Sequence, residues 1–293
     1  MHNLRGSLMM VAAMAGFAIE DAVIKHLALT LPVGQVMVLI GLGGALVYGA
    51  LAARRGYSLI VPEFARGAVL MRNLCEMLGA ASFVMAIVLA PLAAVTAILQ
   101  AMPLVVTLGA ALFLGEPVGW RRWSAILIGF AGVLLILRPG SAAFEPAALL
   151  AVIAVLGLSA RDLATRRVPA HIHSLQLSGW GFAMIVPAGL LLLALTATAP
   201  VMPAAADWGW LVAGLSAGIL AYAALVSATR LGDIAVTTPF RYSRLVFAML
   251  IGFAVFGERP DAMTLAGSAL VVGAGLFTVW RQIRLQRRAL RGC

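Results

Sequence analysis

Apolar stretches of about 20 residues recur along the whole chain and are separated by short polar breaks. A helix of roughly 20 apolar residues is long enough to cross the hydrocarbon core of a bilayer. The pattern therefore predicts an all-α integral membrane protein with ten transmembrane helices. We place these spans at residues 5–28, 33–53, 67–89, 91–114, 121–138, 146–165, 174–196, 207–229, 233–256 and 262–280.

The composition indicates that lipid surrounds most of the molecule. The chain has 293 residues, of which 63% are hydrophobic and 11% charged, whereas a soluble domain has about 25% charged residues. The two cysteines give neither a disulfide framework nor a metal-binding spacing, so we expect no metal and no cofactor. We expect the N-terminal apolar run to be retained, because it is longer than a signal sequence and carries Glu20 and Asp21.

Basic residues are distributed unevenly between the two sides of the predicted bundle. Of the 21 Lys and Arg residues, 15 fall on the side that holds both chain ends, three on the opposite side and three within spans. Basic residues favour the cytoplasmic side of a membrane protein. We therefore expect a multi-pass protein of the cytoplasmic membrane with both termini in the cytoplasm. The net charge of +10 follows from this rule and does not indicate nucleic-acid binding.

The second half of the chain repeats the pattern of the first. With Leu89 placed over Leu231, LAPLAAVTAILQAMPLVVTLGAALFLGEP (89–117) aligns without a gap with LGDIAVTTPFRYSRLVFAMLIGFAVFGER (231–259). We infer two copies of five spans, at 1–140 and 141–293, and an odd number of spans puts the copies in opposite orientations. Inverted repeats are typical of secondary transporters, whose substrates bind near the midplane between the halves. Identical pairs include Ala93/Ala235, Thr96/Thr238, Leu108/Leu250, Gly115/Gly257 and Glu116/Glu258.

On these segments the chain resembles the EamA family of the drug/metabolite transporter superfamily. The resemblance is carried by residues 90–140 and 232–277, in each of which a helix ends in Gly-Glu and a Gly-rich helix follows. It implies ten helices, cytoplasmic termini and a central cavity lined by the first four helices of each half. Members move amino acids, nucleosides, vitamins and other small metabolites, and several are amino-acid exporters. Many members carry an Arg in the second helix, where this chain has only Gln35.

Two arginines lie inside the ninth predicted span. Arg241 and Arg244 are three residues apart and therefore on one helical face. A rise of 1.5 Å per residue puts them about 12–17 Å from the end of the span, near the midplane, and Pro239 can bend the helix just before them. Charge at this depth indicates a function. One hypothesis is a guanidinium site for a substrate carboxylate; the other is a structural ion pair with an acidic residue of another span.

Acidic residues in the first and third spans are the candidate partners of these arginines or of a substrate. Glu20 and Asp21 are adjacent on a helix, so they diverge by about 100° and only one can face a cavity directly. A carboxylate there can bind a substrate amine, carry a proton or pair with an intramembrane Arg. Arg72 and Glu76 are four residues apart and predict an intrahelical ion pair. Glu76 is the deeper of the two and the better site candidate.

Uncharged side chains complete the candidate substrate site. Gln100 aligns with Tyr242 between the copies, which would place a neutral polar group opposite the arginines. Thr238 adds a hydroxyl beside them. Trp180 and Tyr222 lie inside the seventh and eighth spans, where each serves either packing or recognition.

Small and acidic residues at other positions have structural interpretations. We interpret the Gly-Glu ends of two helices as caps and not as chemistry. Pairs of small residues permit close helix approach, which supports either a homodimer or packing within one molecule. The residues concerned are Glu116 and Glu258 for the caps, and Ala125/Gly129 and Ala269/Gly273 for the small pairs.

The pattern favours a transporter over two other classes. An intramembrane enzyme would need a Ser-His pair, a metal motif or paired aspartates within the spans, and a scaffold would bury several charges without a use for them. We therefore predict a secondary transporter, not an enzyme, for small amphoteric metabolites. Amino acids, aromatic and others, moved outward by alternating access, are the first candidates. The alternative is uptake of a vitamin-like or nucleoside-like metabolite.

Overall fold

The computed structural model describes residues 2–116, 119–142, 144–231 and 234–291. Ten helices in these ranges are long and apolar enough to cross a membrane, and the described chain holds no strand. The prediction of an all-α protein with ten spans is confirmed. Spans 1 to 10 run over Leu4–Leu27, Val33–Arg54, Gly67–Leu89, Leu92–Phe113, Trp120–Leu137, Ala148–Thr165, Ser174–Leu195, Ala205–Ala228, Thr238–Phe256 and Ala262–Arg281.

Several helices extend beyond the spans, and two spans consist of more than one helix. Ten crossings put both chain ends on one side, which we call the terminal side, and we call the opposite side the far side. Two short 3-10 segments cover Pro62–Ala65 and Thr238–Tyr242. The α-helices are α1 His2–Leu27, α2 Val33–Arg54, α3 Gly67–Leu89, α4 Leu92–Leu99, α5 Met102–Phe113, α6 Trp120–Leu137, α7 Ala148–Thr165, α8 Ser174–Leu195, α9 Ala205–Leu231, α10 Ile234–Thr237, α11 Ser243–Phe256 and α12 Ala262–Arg291.

Spans 4 and 9 are interrupted at corresponding depths by proline. A proline ring clashes with the carbonyl four residues earlier and lacks a hydrogen-bond donor. Accordingly α4 ends at Leu99, four residues before Pro103. In span 9, Pro239 lies in the 3-10 segment that separates α10 from α11. The helix interruption predicted at Pro239 is present, and it sets the direction of the side chains that follow.

Helix packing repeats when spans 1–5 are exchanged for spans 6–10. Span 1 packs on span 8 as span 6 packs on span 3, while span 2 packs on span 7 and span 5 on span 10. Each of these interfaces joins the first half of the chain to the second, so the hydrophobic core lies between the halves. The halves are therefore related by a pseudo-two-fold axis. The division of the chain after residue 140 stays a prediction.

Polar contacts near the span ends follow the same symmetry. A glutamine at the start of span 2 bonds the loop before span 8, and a glutamine at the start of span 7 bonds the loop before span 3. An acidic residue near the start of span 8 contacts a side chain of the loop after span 1. An acidic residue just before span 3 likewise contacts a side chain of the loop after span 6. On the far side these contacts are Gln35 with Val201 at 2.6 and 2.9 Å and Thr30 with Asp207 at 2.9 Å; on the terminal side they are Gln176 with Ser58 at 2.7 Å and His171 with Glu63 at 3.6 Å.

Glycines face glycines across the main interfaces. A methyl group added at Gly34 would lie 2.4 Å from the carbonyl oxygen of Gly189, and one at Gly132 would lie 2.7 Å from that of Gly267. Small residues allow helix backbones to approach closely in a membrane, where packing replaces the hydrophobic effect. These glycines therefore fix the pairing of spans 2 and 7 and of spans 5 and 10.

The predicted small-residue pairs divide between the interior and the surface. Ala125 is buried, and a methyl group added at Gly129 would contact Leu104, so this pair packs within the molecule. Ala269 and Gly273 lie on α12, where Ala269 is exposed and an added methyl group at Gly273 would meet nothing within 4 Å. A homodimer through this face stays a prediction.

Candidate functional site

Four spans contribute charged side chains to the interior between the halves. Each supplies two, and the four acidic groups balance the four basic ones. Charged groups at membrane depth are costly and normally pair with one another or serve a substrate pathway. The eight residues are Glu20 and Asp21 of span 1, Arg72 and Glu76 of span 3, Arg161 and Asp162 of span 6, and Arg241 and Arg244 of span 9.

Arg244 forms an ion pair with Asp21. Its Nη2 donates to both carboxylate oxygens at 2.9 and 2.7 Å, and its Nε donates at 3.2 Å. The guanidinium also lies over the rings of Phe17 and Phe83, at 5.3 and 5.5 Å from their centroids. Of the two hypotheses for Arg244, the geometry matches the structural ion pair, and both charges are satisfied within the protein.

A second network joins spans 3 and 6. Arg72 donates to Glu76 at 3.1 Å, as the spacing of four residues predicts, and also to Asn73 at 3.1 Å. Arg161 donates to the same Glu76 at 3.0 and 3.3 Å and to Asp162 at 2.9 Å. Glu76 therefore bridges two guanidinium groups and has no carboxylate oxygen free of them.

The role of Arg161 corrects the sequence-based count of loop charges. The sequence counted Arg161 with the basic residues of the terminal side although the predicted span 146–165 contains it; in the structure it lies inside α7 and binds a carboxylate of α3. Its partner Glu76 lies 85 positions away in the chain, so no local pattern reveals the pair. Removing Arg161 from the 15 basic residues assigned to the terminal side leaves 14, so the charge asymmetry remains.

Glu20 has no ion-pair or hydrogen-bond partner in the described part of the chain. Its carboxylate lies against Gly218 of α9, where an added methyl group would be 2.3 Å from Oε1. The pseudo-symmetry explains this isolation. Aligning span 1 with span 6 puts Glu20 over Arg161, and aligning span 3 with span 8 in the register of the repeat puts Glu76 over Gly218. Where Arg161 meets a carboxylate, Glu20 therefore meets a glycine.

Glu20 also lines a cavity of about 50 Å³ between the halves. This volume holds a few water molecules and is too small for a metabolite, so binding requires the walls to separate. The other residues that line the cavity are all apolar, so the Glu20 carboxylate is the one polar group of this lining. The lining residues are Glu20, Ile24, Val36, Met37, Ile40, Ala80, Val84 and Ile185.

Arg241 is the basic counterpart of Glu20. It lies in the 3-10 segment that Pro239 imposes, and its side chain is exposed. Its charge interacts with those of Asp162, Arg161 and Arg244, but its guanidinium makes no ion pair or hydrogen bond within the described residues. Gln100 donates to the backbone carbonyl of Arg241 at 3.4 Å and so holds the segment.

Trp180 and Tyr222, two further predicted site residues, make packing contacts with other aromatic side chains. Trp180 is buried, donates to the carbonyl of Leu59 at 2.9 Å and packs on Phe64, so it holds the loop between spans 2 and 3 and does not line the cavity. Tyr222 packs edge-on against Tyr48 at 5.5 Å. Their roles in recognition stay predictions.

Two residues of span 9 beside Arg241 complete the predicted set. Tyr242 is buried with its hydroxyl unbonded in the described structure, and it packs closely on Gly275 of α12. Thr238 begins the 3-10 segment and is half-buried. Tyr242 thus faces span 10, while its neighbour Arg241 is exposed.

The far side holds ion pairs that sequence reasoning missed. Lys25 donates to Glu258 at 2.7 Å, so Glu258 does more than end a helix. Arg138 pairs with Asp261, and the hydrogen bonds from Arg138 and from the Thr264 backbone hold the pKa of Asp261 well below its usual range. A signal for the Lys25–Glu258 pair was present in the sequence. Aligning span 1 with span 6 so that Asp21 lies over Asp162 puts Lys25 over Arg166, and the repeat puts Glu116 over Glu258. Both halves therefore carry a basic and an acidic residue at equivalent positions.

No cluster of three or more potential metal ligands occurs among the described residues. The arrangement is instead suited to organic ions. An unpaired guanidinium binds a carboxylate well, and an unpaired carboxylate binds an ammonium group.

The fold and these charges define a class of protein: a polytopic helical membrane protein of two inverted repeats with a charged interior. The pattern of the EamA-like transporter family matches residues 4–138 and 145–280. The chain belongs to this family, and with it to the drug/metabolite transporter superfamily, as its sequence predicted. It is thus a multi-pass membrane protein with a transport function.

Relatives of known function transport different compounds in both directions. A riboflavin transporter of Rhizobium johnstonii is 32% identical over 75% of this chain and 72% of its own. An S-adenosylmethionine uptake transporter of Rickettsia bellii is 27% identical over 73% and 72%. The pseudopaline exporter CntI of Pseudomonas aeruginosa is 27% identical over 92% and 94%. Similarity at this level assigns the class but no substrate.

A solved crystal structure shares the fold. It superposes with a TM-score of 0.62 and covers 97% of this chain and 99% of its own, at 21% sequence identity. The whole ten-span arrangement therefore has a counterpart among experimental structures.

Proposed function

We propose that the protein is a secondary transporter for amphoteric metabolites with an amino-acid head group, and that it works by alternating access across the cytoplasmic membrane. The observation that carries the proposal is the pair of unpartnered charges, Glu20 and Arg241, within the described residues. The other six interior charges neutralise one another. A substrate with one carboxylate and one ammonium would neutralise the remaining two.

Position supports this assignment. Glu20 lies seven residues from the end of α1, and Arg241 lies seven residues after the start of α10, on opposite sides of the membrane. At 1.5–2.0 Å per residue, both are about 10–14 Å from their own surface and hence near the midplane. A midplane site between inverted repeats is the usual place for substrate in secondary transporters.

Two forms of the proposal differ in substrate and direction. The first is outward movement of amino acids, which the sequence resemblance favours. The second is uptake of a nucleoside-linked amino acid, because one relative takes up S-adenosylmethionine, a compound that carries the same head group. In both forms the excess of basic residues on the terminal side supports cytoplasmic termini.

Counterflow in proteoliposomes tests the proposal. We would compare labelled amino acids, S-adenosylmethionine, riboflavin and nucleosides as substrates of the wild type. For each accepted compound we would compare analogues without the carboxylate and without the amine. We expect Arg241→Gln to remove the preference for the carboxylate, and Glu20→Gln to remove the preference for the amine.

Matched controls are available on the exposed surface. Arg55→Gln and Glu145→Gln change the same charges at exposed positions, and both preferences should persist. If the preference for the carboxylate survives in Arg241→Gln, Arg241 does not bind it. Exchange of riboflavin or nucleosides alone would reject the amino-acid head group.

A further inference from the structure

Glu258 connects three parts of the bundle at the far side. It accepts from Lys25 at 2.7 Å and from the backbone N–H groups of Leu92 and Ala93 at 2.9 and 3.3 Å. Lys25 also donates to the carbonyl of Ala90 at 2.8 Å. Spans 1 and 9 are thereby fastened to the start of span 4. The side chains of Lys25 and Glu258 are only 14% and 11% exposed.

Glu116 occupies the equivalent position on the terminal side. It follows Gly115, whose φ of 67° matches the 66° of Gly257 before Glu258. The Glu116 N–H bonds the carbonyl of Ala110 at 3.2 Å, and the Glu258 N–H bonds that of Gly252, the residue aligned with Ala110, at 2.9 Å. Two helix ends with the same backbone conformation therefore present a glutamate on opposite sides of the membrane.

The basic partners correspond as well. Arg166 pairs with Glu116 at 2.8 Å, and Arg166 aligns with Lys25 when span 1 is laid over span 6. However, the side chains of Arg166 and Glu116 are 48% and 49% exposed. An ion pair that is open to water contributes little to holding two helices together. Both ion pairs are therefore formed, but the one on the far side is largely buried and the one on the terminal side is exposed to water.

The symmetric glutamine contacts do not differ in this way. The glutamine contacts Gln35–Val201 and Gln176–Ser58 are both made, one on each side. Spans 2 and 7 thus stay fastened at both ends. Among the described residues, the two sides differ at the ends of spans 4 and 9, which belong to opposite halves.

We propose that Glu258 and Glu116, each with its basic partner, are alternating latches: Glu258 closes the far side by binding the start of span 4, Glu116 closes the terminal side by binding the corresponding residues of the other half, and the structure is the conformation closed at the far side. In the opposite conformation Glu116 closes on the start of α10, at residues 234–235, which correspond to Leu92 and Ala93. The Glu258 contacts with span 4 then break. This assignment rests on the proposed transport function, because only a transporter needs both conformations.

Accessibility of the cavity tests the latches directly. Met37 lines the cavity and is 2% exposed. We would introduce Met37→Cys into a chain lacking Cys75 and Cys293, and measure its labelling by a membrane-impermeant thiol reagent in right-side-out and inside-out vesicles. Glu258→Gln should accelerate labelling from the far side at least tenfold. Glu116→Gln should not accelerate it.

A second far-side ion pair supplies the control. Asp261→Asn removes the pair with Arg138, which joins the ends of spans 5 and 10 and touches neither span 4 nor span 9. Labelling from the far side should stay at the wild-type rate. An unchanged rate in Glu258→Gln, or an equal acceleration in Asp261→Asn, overturns the assignment.

A cross-link tests the same latch by holding the ends of spans 4 and 9 together. Ala93→Cys and Glu258→Cys, joined by a short bifunctional thiol reagent with a cleavable disulfide, should stop exchange, and reduction should restore it. Continued exchange after complete cross-linking overturns the latch. A labelling shift in Glu258→Gln in a protein that exchanges none of the tested compounds would reject the proposed substrate and support the latch.

Discussion

Asp21→Ala removes the counter-ion of a guanidinium that is held inside the bundle. Asp21 is 4% exposed at its side chain and Arg244 18%. Removing one partner of a buried ion pair costs about 3–5 kcal/mol, because the other charge stays buried. The rings of Phe17 and Phe83 remain beside Arg244 and offset up to about 2 kcal/mol of this cost. We expect the free energy of unfolding to fall by roughly 1–5 kcal/mol.

The double variant Asp21→Ala/Arg244→Met separates the pair from the cost of an unpaired charge. Replacing both members of a buried pair by apolar groups is often neutral or stabilising, so the double variant should regain most of the loss. Denaturant titration of the purified proteins in detergent measures both, with the exposed Glu145→Gln as control. A single variant as stable as the wild type would refute the structural role of the pair.

Two further substitutions test the local geometry. Gly218→Ala places a methyl group 2.3 Å from the Glu20 carboxylate, so the flexible side chain should move, and exchange should fall at least tenfold while the fold persists. Gly209→Ala in the same helix meets nothing within 4 Å and should leave exchange unchanged. Because Arg138 lowers the pKa of Asp261, their pair stabilises the fold fully above the unfolded pKa of about 3.9, and this contribution is lost as pH falls towards the folded pKa. Melting curves should therefore show a larger loss of stability from about pH 6 to about pH 3 in the wild type than in Asp261→Asn; equal losses would contradict this.

Features set by neighbours in the chain were predictable. The ten spans follow from the length of the apolar runs, since burial in lipid depends on local composition. The break before Arg241 follows from Pro239, and the Arg72–Glu76 bond from a spacing of one helical turn. Repetition across the halves predicted opposite orientations without any contact being known. In each case the physical cause acts between residues close in the chain, or the pattern is repeated in both halves of the sequence.

Partners across spans were not predictable from one sequence. The sequence left Glu76, Glu20 and Asp21 open as partners of the arginines, and only the packing of spans 1 and 9 assigned Asp21 to Arg244. The pairing of Arg161 with Glu76 was missed because Glu76 lies on another helix. In each case the distance between two charges depends on how whole helices are positioned.

By itself the sequence determined that lipid surrounds the protein, how many times the chain crosses the membrane, the inverted repeat and the family. These features follow from hydropathy and repetition, which are properties of the chain. Only the tertiary structure decided which interior charges neutralise each other and which stay unpaired among the described residues. Glu20 is unpaired because the position opposite it holds Gly218, where the symmetric position holds Glu76. That departure from symmetry leaves the charge that we assign to the substrate, and it exists only once the helices are packed.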